Sequence, residues 1–122
     1  SKKSIVVYLD RKYGKKLELH PRKSRTDNGK LLVSDNHFAL DDGKRVCFTY
    51  IYQDEAGKVV ILLRASEEEG QFLATEHEER IHHSAFPKNK AKDWYSVVVD
   101  DSFSAKEVYE MLDRSIKYVL NK

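Results

Sequence analysis

Twenty residues in the middle of the chain, Arg45 to Arg64, restrict the fold more than any other stretch. In "RVCFTYIY" Val46, Phe48, Tyr50 and Tyr52 fall on one face and Cys47, Thr49 and Ile51 on the other, the period-two alternation of a strand. "QDEAGK" makes a turn, with Gly57 suited to a bulge position, and "VVILLR" (Val59 to Arg64) returns. The return strand is apolar on both faces, which predicts a central place in its sheet. A hairpin of this kind has to be covered, so the remaining segments are read as the pieces that cover it.

Residues 4–13, "SIVVYLDRKY", place Ile5, Leu9 and Lys12 or Tyr13 on one helical stripe with Val6 beside it, and Gly14 supplies a stop. "IVVY" alone would equally suit a strand. Residues 15–30 are polar and punctuated by Pro21 and by "DNG" (Asp27 to Gly29), where Asn-Gly favours a tight hairpin turn. "KLLVSD" and "HFAL" read as short strands near residues 30–40, and "DDGK" (Asp41 to Lys44) turns the chain again. Ser66 with Glu69 fits a capping box, and Glu67, Glu68 and Glu69 complement the positive end of a helix over about 67–79. Gly70 weakens that helix by about 1 kcal/mol relative to alanine. "RIHHSAF" reads as extended and "WYSVVVD" as a strand. A second capping box, Ser104 with Glu107, opens the last helix. Its buried stripe is Val108, Leu112, Ser115 or Ile116, and Val119, with Met111 and Leu120 alongside. The order helix, strands, helix, strand, helix predicts an α+β fold, a mainly antiparallel sheet with N-terminal, middle and C-terminal helices.

A length of 122 residues suits one domain over 1–122, large enough to bury roughly two-thirds of the surface exposed by the unfolded chain. No apolar run approaches the roughly 20 residues that span a bilayer, and no signal-peptide pattern opens the sequence. No membrane association is therefore expected. Cys47 is alone, which rules out an internal disulfide and makes a reducing cytoplasm the natural location. Its mid-strand setting predicts a buried structural thiol rather than a nucleophile. His77, His82 and His83 have the residue type for a metal site but not the spacing, since adjacent His82 and His83 alternate faces of an extended segment. Paired carboxylates such as Asp41/Asp42 and Asp100/Asp101 sit in turns, and no glycine-rich phosphate loop occurs. These observations predict no catalytic residues, no metal and no cofactor, and hence a non-enzymatic protein.

Net charge is only +2, but it is unevenly distributed: +7 over residues 1–30, −6 over 31–86 and +1 over 87–122. Two basic clusters stand out, Arg22, Lys23 and Arg25 in "HPRKSR", and Lys88, Lys90 and Lys92 in "KNKAK". Each lies in a polar connection beside a strand, where a hairpin wing would present cations to a phosphate backbone. Hydration of a loop and protection of sheet edges explain the same lysines without any ligand. Trp94 could stack on an unpaired base or anchor its strand in the core beside Val98.

The C-terminal half, "HHSAFPKNKAKDWYSVVVDDSFSAKEVYEMLDRSIKYVL", resembles the YjbR/MmcQ-like family of small bacterial proteins. The resemblance rests on Asn89-Lys90 before Trp94, the strand Val97 to Val99, the turn at Asp100, and Asp113-x-Ser115 on the last helix. The hairpin "VCFTYIYQDEAGKVVILLRAS" and the opening "YLDRKYG" are similar to the family's central strand pair and first helix. The resemblance implies a fold related to secretion-chaperone-like (CyaY-like) architectures, a double-wing motif and DNA binding without catalysis. The leading expectation is accordingly a bacterial, cytoplasmic DNA-binding protein that holds the phosphate backbone through Arg22, Lys23, Arg25, Lys88, Lys90 and Lys92. The alternative is a protein-interaction or chaperone-like module that docks a partner polypeptide on its sheet face or on the acidic 67–79 helix.

Overall fold

The computed structural model describes residues 2–14, 17–24, 31–39, 45–53, 56–84 and 92–121, with side chains for 4–14, 46–53, 56–84 and 92–121. The elements run α1 (Lys2–Tyr13), β1 (Leu17–Ser24), β2 (Leu31–Ala39), β3 (Arg45–Gln53), β4 (Val59–Arg64), α2 (Glu67–Glu76), β5 (Ile81–His83), β6 (Trp94–Val99) and α3 (Ala105–Leu120). The six strands form one sheet in the order β1-β2-β3-β4-β6-β5, every neighbouring pair antiparallel. The fold is α+β, and β4 has the interior position its apolar faces demand.

One register row explains why the helices sit where they do. Ile51, Ile61, Val97 and Ile81 lie side by side across β3, β4, β6 and β5, each at most 2% exposed. Burying a side chain of this size contributes about 1.5–3 kcal/mol. The row packs under Ile5 and Leu9 of α1 and under Val108, Leu112, Ile116 and Val119 of α3. Helix α3 lies over β3 and β4, α1 over β1 and β3, and α2 beside β5. Val60, Leu62 and Trp94 are also buried but belong to the opposite face of the sheet, where the Tyr50 and Trp94 rings meet at 5.1 Å. Trp94 is a core residue.

Five local features depart from the sequence reading. Residues 17–24 form a strand rather than a turn-rich connection, and Pro21 is tolerated there because β1 is the sheet edge. Residues 31–39 form one strand, not two, with a register shift between Asn36 and His37. The shift sets Asn36 opposite Thr49 and His37 opposite Cys47, so Phe48 is the extra residue of a bulge and joins the core with Ile51 instead of lining up with Tyr50 and Tyr52. Ser66 caps α2 through the Glu69 amide without the reciprocal bond that the Ser104–Glu107 pair makes at α3, and the Glu69 carboxylate lies 4.0 Å from Arg114 on α3. Leu120 is exposed, because the buried stripe of α3 ends at Val119. Gly14 and Gly57 both adopt positive φ, as the helix stop and the bulge position require. The Asn28-Gly29 turn lies outside the described residues.

Candidate functional site

Helix α3 lies between the other two helices, and its polar contacts define what each flank can do. On the α1 side, Asp113 accepts from Tyr8 Oη at 2.6 Å and Lys12 Nζ at 2.7 Å through one oxygen, and from Tyr13 Oη at 2.6 Å through the other. Tyr8 also stacks on Tyr109 with ring centroids 3.9 Å apart. Matched spacings make this possible. Tyr8 and Lys12 are one turn apart on α1, and Tyr109 and Asp113 are one turn apart on α3. Burial opposes the charge on Asp113, but the three donors outweigh it and hold its carboxyl below the usual range. Burial, reinforced by Asp113, pushes the Tyr8 and Tyr13 phenols up.

At the end of the sheet where β4 stops and β6 starts, Arg64 Nη2 donates to Asp93 at 2.9 Å, and Tyr118 Oη donates to the same oxygen at 3.0 Å. Arg64 Nη1 reaches the Cys47 carbonyl at 3.3 Å, and its guanidinium lies 5.4 Å from the Trp94 ring centre. Ser115 completes the junction: its Oγ donates to the Phe48 carbonyl at 2.7 Å and accepts from the Arg64 amide at 2.9 Å. These backbone groups lie one residue beyond Thr49–Leu63, where the β3–β4 ladder ends, and Ser115 bridges them in place of the next ladder bond. Asp113-x-Ser115 thus has two structural roles, one facing α1 and one facing the sheet. Cys47 is half-buried, with its Sγ 3.7 Å from the Thr49 carbonyl.

On the other flank, α2 comes close enough to β6 that a Cβ on Gly70 would sit 1.9 Å from the Tyr95 ring. His83 meets that ring edge-on at 5.4 Å and donates from Nε2 to the Lys92 carbonyl at 2.8 Å. His82 pairs with Ser96 and His83 with Tyr95, so the two imidazoles occupy opposite faces of the sheet. Where charge states are shifted, tyrosines move up and carboxylates down. Tyr95 and Tyr118 are raised by burial, Asp100 is lowered by Ser102, and Glu107 by Ser104. Each such group is held more firmly in its resting state at neutral pH.

The six basic residues expected from sequence are not brought together where they are described. Arg22 and Lys23 lie on β1 at the sheet edge. Lys92 is exposed just before β6. The row through Arg22 runs Val33, Tyr52, Val60, Val98. Lys92 therefore lies four strand spacings across (about 19 Å) and six residues along (about 20 Å) from it. Arg25, Lys88 and Lys90 lie outside the described residues. Within the first thirty residues α1 packs against β1, and these two elements together carry +4 of the segment's +7. Arg11 is exposed on that flank, whereas Lys12 is committed to Asp113. The opposite flank is acidic, with Glu67, Glu68 and Glu76 exposed on α2. Among the described residues, no group of three or more His, Cys, Asp or Glu side chains could hold a metal ion. Nor is any helix long and apolar enough to cross a membrane. An open cavity of about 240 Å³ lies between α1, the end of β6 and the start of α3, floored by Ile5, Val99, Phe103 and Val108.

No family model matches the sequence, and no curated protein does. Among solved structures the fold is similar to the crystal structure of DR2400 from Deinococcus radiodurans, whose domain is the family-model domain DUF419. The TM-score is 0.68 at 19% sequence identity, with 96% of this chain and 79% of that one covered. At that identity the likeness establishes the α+β fold they share.

Proposed function

We propose that this chain is a non-enzymatic nucleic-acid-binding domain of the YjbR/MmcQ type, holding the phosphate backbone of DNA in the bacterial cytoplasm. The observation that carries the reading is the +7 charge of residues 1–30, of which +4 lies on two elements, α1 and β1, that pack against each other. Arg22, Lys23 and Arg25 supply the main contact, to which Arg11 on the adjoining helix α1 adds a further cation. Lys88, Lys90 and Lys92 supply a second contact, with Lys92 at the far corner of the sheet from Arg22. The DUF419 domain of the structural neighbour is related to YjbR, which supports the family assignment. Contacts of this kind fix the position of a duplex without reading its bases.

Fluorescence anisotropy with a labelled duplex tests the reading. If about four phosphates are neutralised, log K falls against log salt with a slope of roughly −3.6. Arg22→Glu/Lys23→Glu lowers affinity by about tenfold or more and flattens that slope, and Lys88→Glu/Lys90→Glu/Lys92→Glu has the smaller effect. Absence of binding to duplex and single strands at low salt would remove the proposal.

A further inference from the structure

The cavity beside the first turn of α3 has no part in the nucleic-acid contact. Ile5, Val99, Phe103 and Val108 form its apolar floor, and Tyr109 forms one wall. Two ring contacts fix its shape in advance. Tyr109 is stacked on Tyr8 at 3.9 Å, and Phe103 is tilted on His77 at 4.9 Å. At about 240 Å³ the cavity is smaller than the roughly 300–1,000 Å³ of pockets that enclose drug-sized ligands, so it suits a single side chain or a molecule of that size.

Charge at the rim selects the sign of the occupant. Asp100 is committed within the fold, one oxygen to Arg80 and the other to Ser102. Lys106 pairs with Glu110 at 4.0 Å, and Glu107 closes the α3 cap through the Ser104 amide. Asp101, exposed on the rim, has no ion-pair partner among the described residues. Lys2 and Lys3 precede Ser4 of the α1 wall in the sequence, and their side chains lie outside the described residues. We propose that the cavity binds a cationic alkyl chain, its methylenes on the apolar floor and its ammonium group at Asp101. An anion would meet the Asp100 and Asp101 carboxylates instead. A free aliphatic amine and a lysine side chain of a partner polypeptide present the same chemistry. Because the cavity is open to water, binding is weak and salt reduces it. The proposal stands apart from the nucleic-acid reading, since none of the residues proposed to hold phosphate lines the cavity.

Amide chemical-shift titration of the isotope-labelled full chain at low ionic strength tests it. Pentylamine should give saturable shifts gathered at Ser4, Ile5 and residues 99–109. Pentanol, which keeps the chain without the charge, should bind about three- to fivefold more weakly, and ammonium chloride, which keeps the charge without the chain, should not bind there. Asp101→Asn should weaken pentylamine binding by about the same three- to fivefold, and Asp101→Glu should restore it. Ala105→Leu adds bulk to the lining and should abolish binding. Both positions are exposed, and unchanged thermal melts confirm that the variants fold. Nα-acetyl-lysine methylamide, titrated beside pentylamine, separates the two sources: tighter binding of the former assigns the cavity to a polypeptide lysine, of the latter to a free amine, and either supports the proposal. Pentanol binding as tightly as pentylamine overturns it. So do unsaturable shifts that spread to Glu67, Glu68 and Glu76, or no shifts at all. Binding that emerges only in Lys2→Ser/Lys3→Ser also overturns it, by assigning the cavity to the chain's own lysines.

Discussion

The two flanks of α3 are held by different physics. Toward α1 the contact is directional and polar: one carboxylate, Asp113, collects three donors on a surface that water still reaches. Toward α2 and β6 it is steric, a glycine with no side chain lying directly on the Tyr95 ring. Water can replace part of a lost hydrogen bond at a half-exposed site, but nothing replaces space. The steric flank should therefore tolerate less, although it carries fewer hydrogen bonds.

The largest effect should come from the steric side. Gly70→Ala has to displace the Tyr95 ring, a buried overpacking that costs about 1–3 kcal/mol and here should approach the upper end. The intrinsic helix preference of alanine works the other way. Urea denaturation reads the sign directly, and a stabilised variant would mean that the close approach is absent. On the polar side, Asp113→Asn should cost less, about 1–2 kcal/mol, as the phenols of Tyr8 and Tyr13 turn to water. A loss as large as that of Gly70→Ala would erase the distinction between the flanks.

Of these two contacts, acid should loosen the one at Asp113 and leave the one between Gly70 and Tyr95 unchanged. The folded pKa of Asp113 lies below its ordinary value, so its contribution is complete above the usual carboxylate range near 4 and disappears as pH falls through the depressed folded value. The stability gap between wild type and Asp113→Asn should therefore close below about pH 4. The gap between wild type and Gly70→Ala should stay constant. The smallest effect is expected at Arg114→Ala, because the exposed Arg114–Glu69 pair at 4.0 Å is worth no more than about 0.5 kcal/mol. A larger loss would show that α2 is held electrostatically after all.

Which parts of this were legible in the sequence follows the range of the interactions involved. The β3–β4 hairpin, the Ser104–Glu107 cap and the stripe of α3 follow from local periodicity and capping, and the structure has them. Strand β1 was hidden because Pro21 and a basic, polar composition read as a turn, and only its edge position makes that composition acceptable in a sheet. Gly70 read as a flaw in a helix, since nothing within α2 announces that Tyr95, twenty-five residues later, occupies the space of its missing side chain. The partners of Asp113 and Ser115 were equally invisible. A motif gives their spacing on one helix, but the bulge at Phe48 and the arrival of α1 are events elsewhere in the chain.

The same division governs the candidate site. The sequence by itself determined how many charges there are, their sign in each segment, and which elements carry them, because composition and periodicity are properties of neighbours along the chain. Only the tertiary structure decided which charges share a surface. Sheet order puts β1 and β6 four strands apart, so Arg22 and Lys92 lie at different corners of the sheet, while helix packing brings α1 against β1. Strand order and helix placement are chosen by burial of the shared apolar row at Ile51, Ile61, Val97 and Ile81, and surface charges are carried wherever that burial takes them.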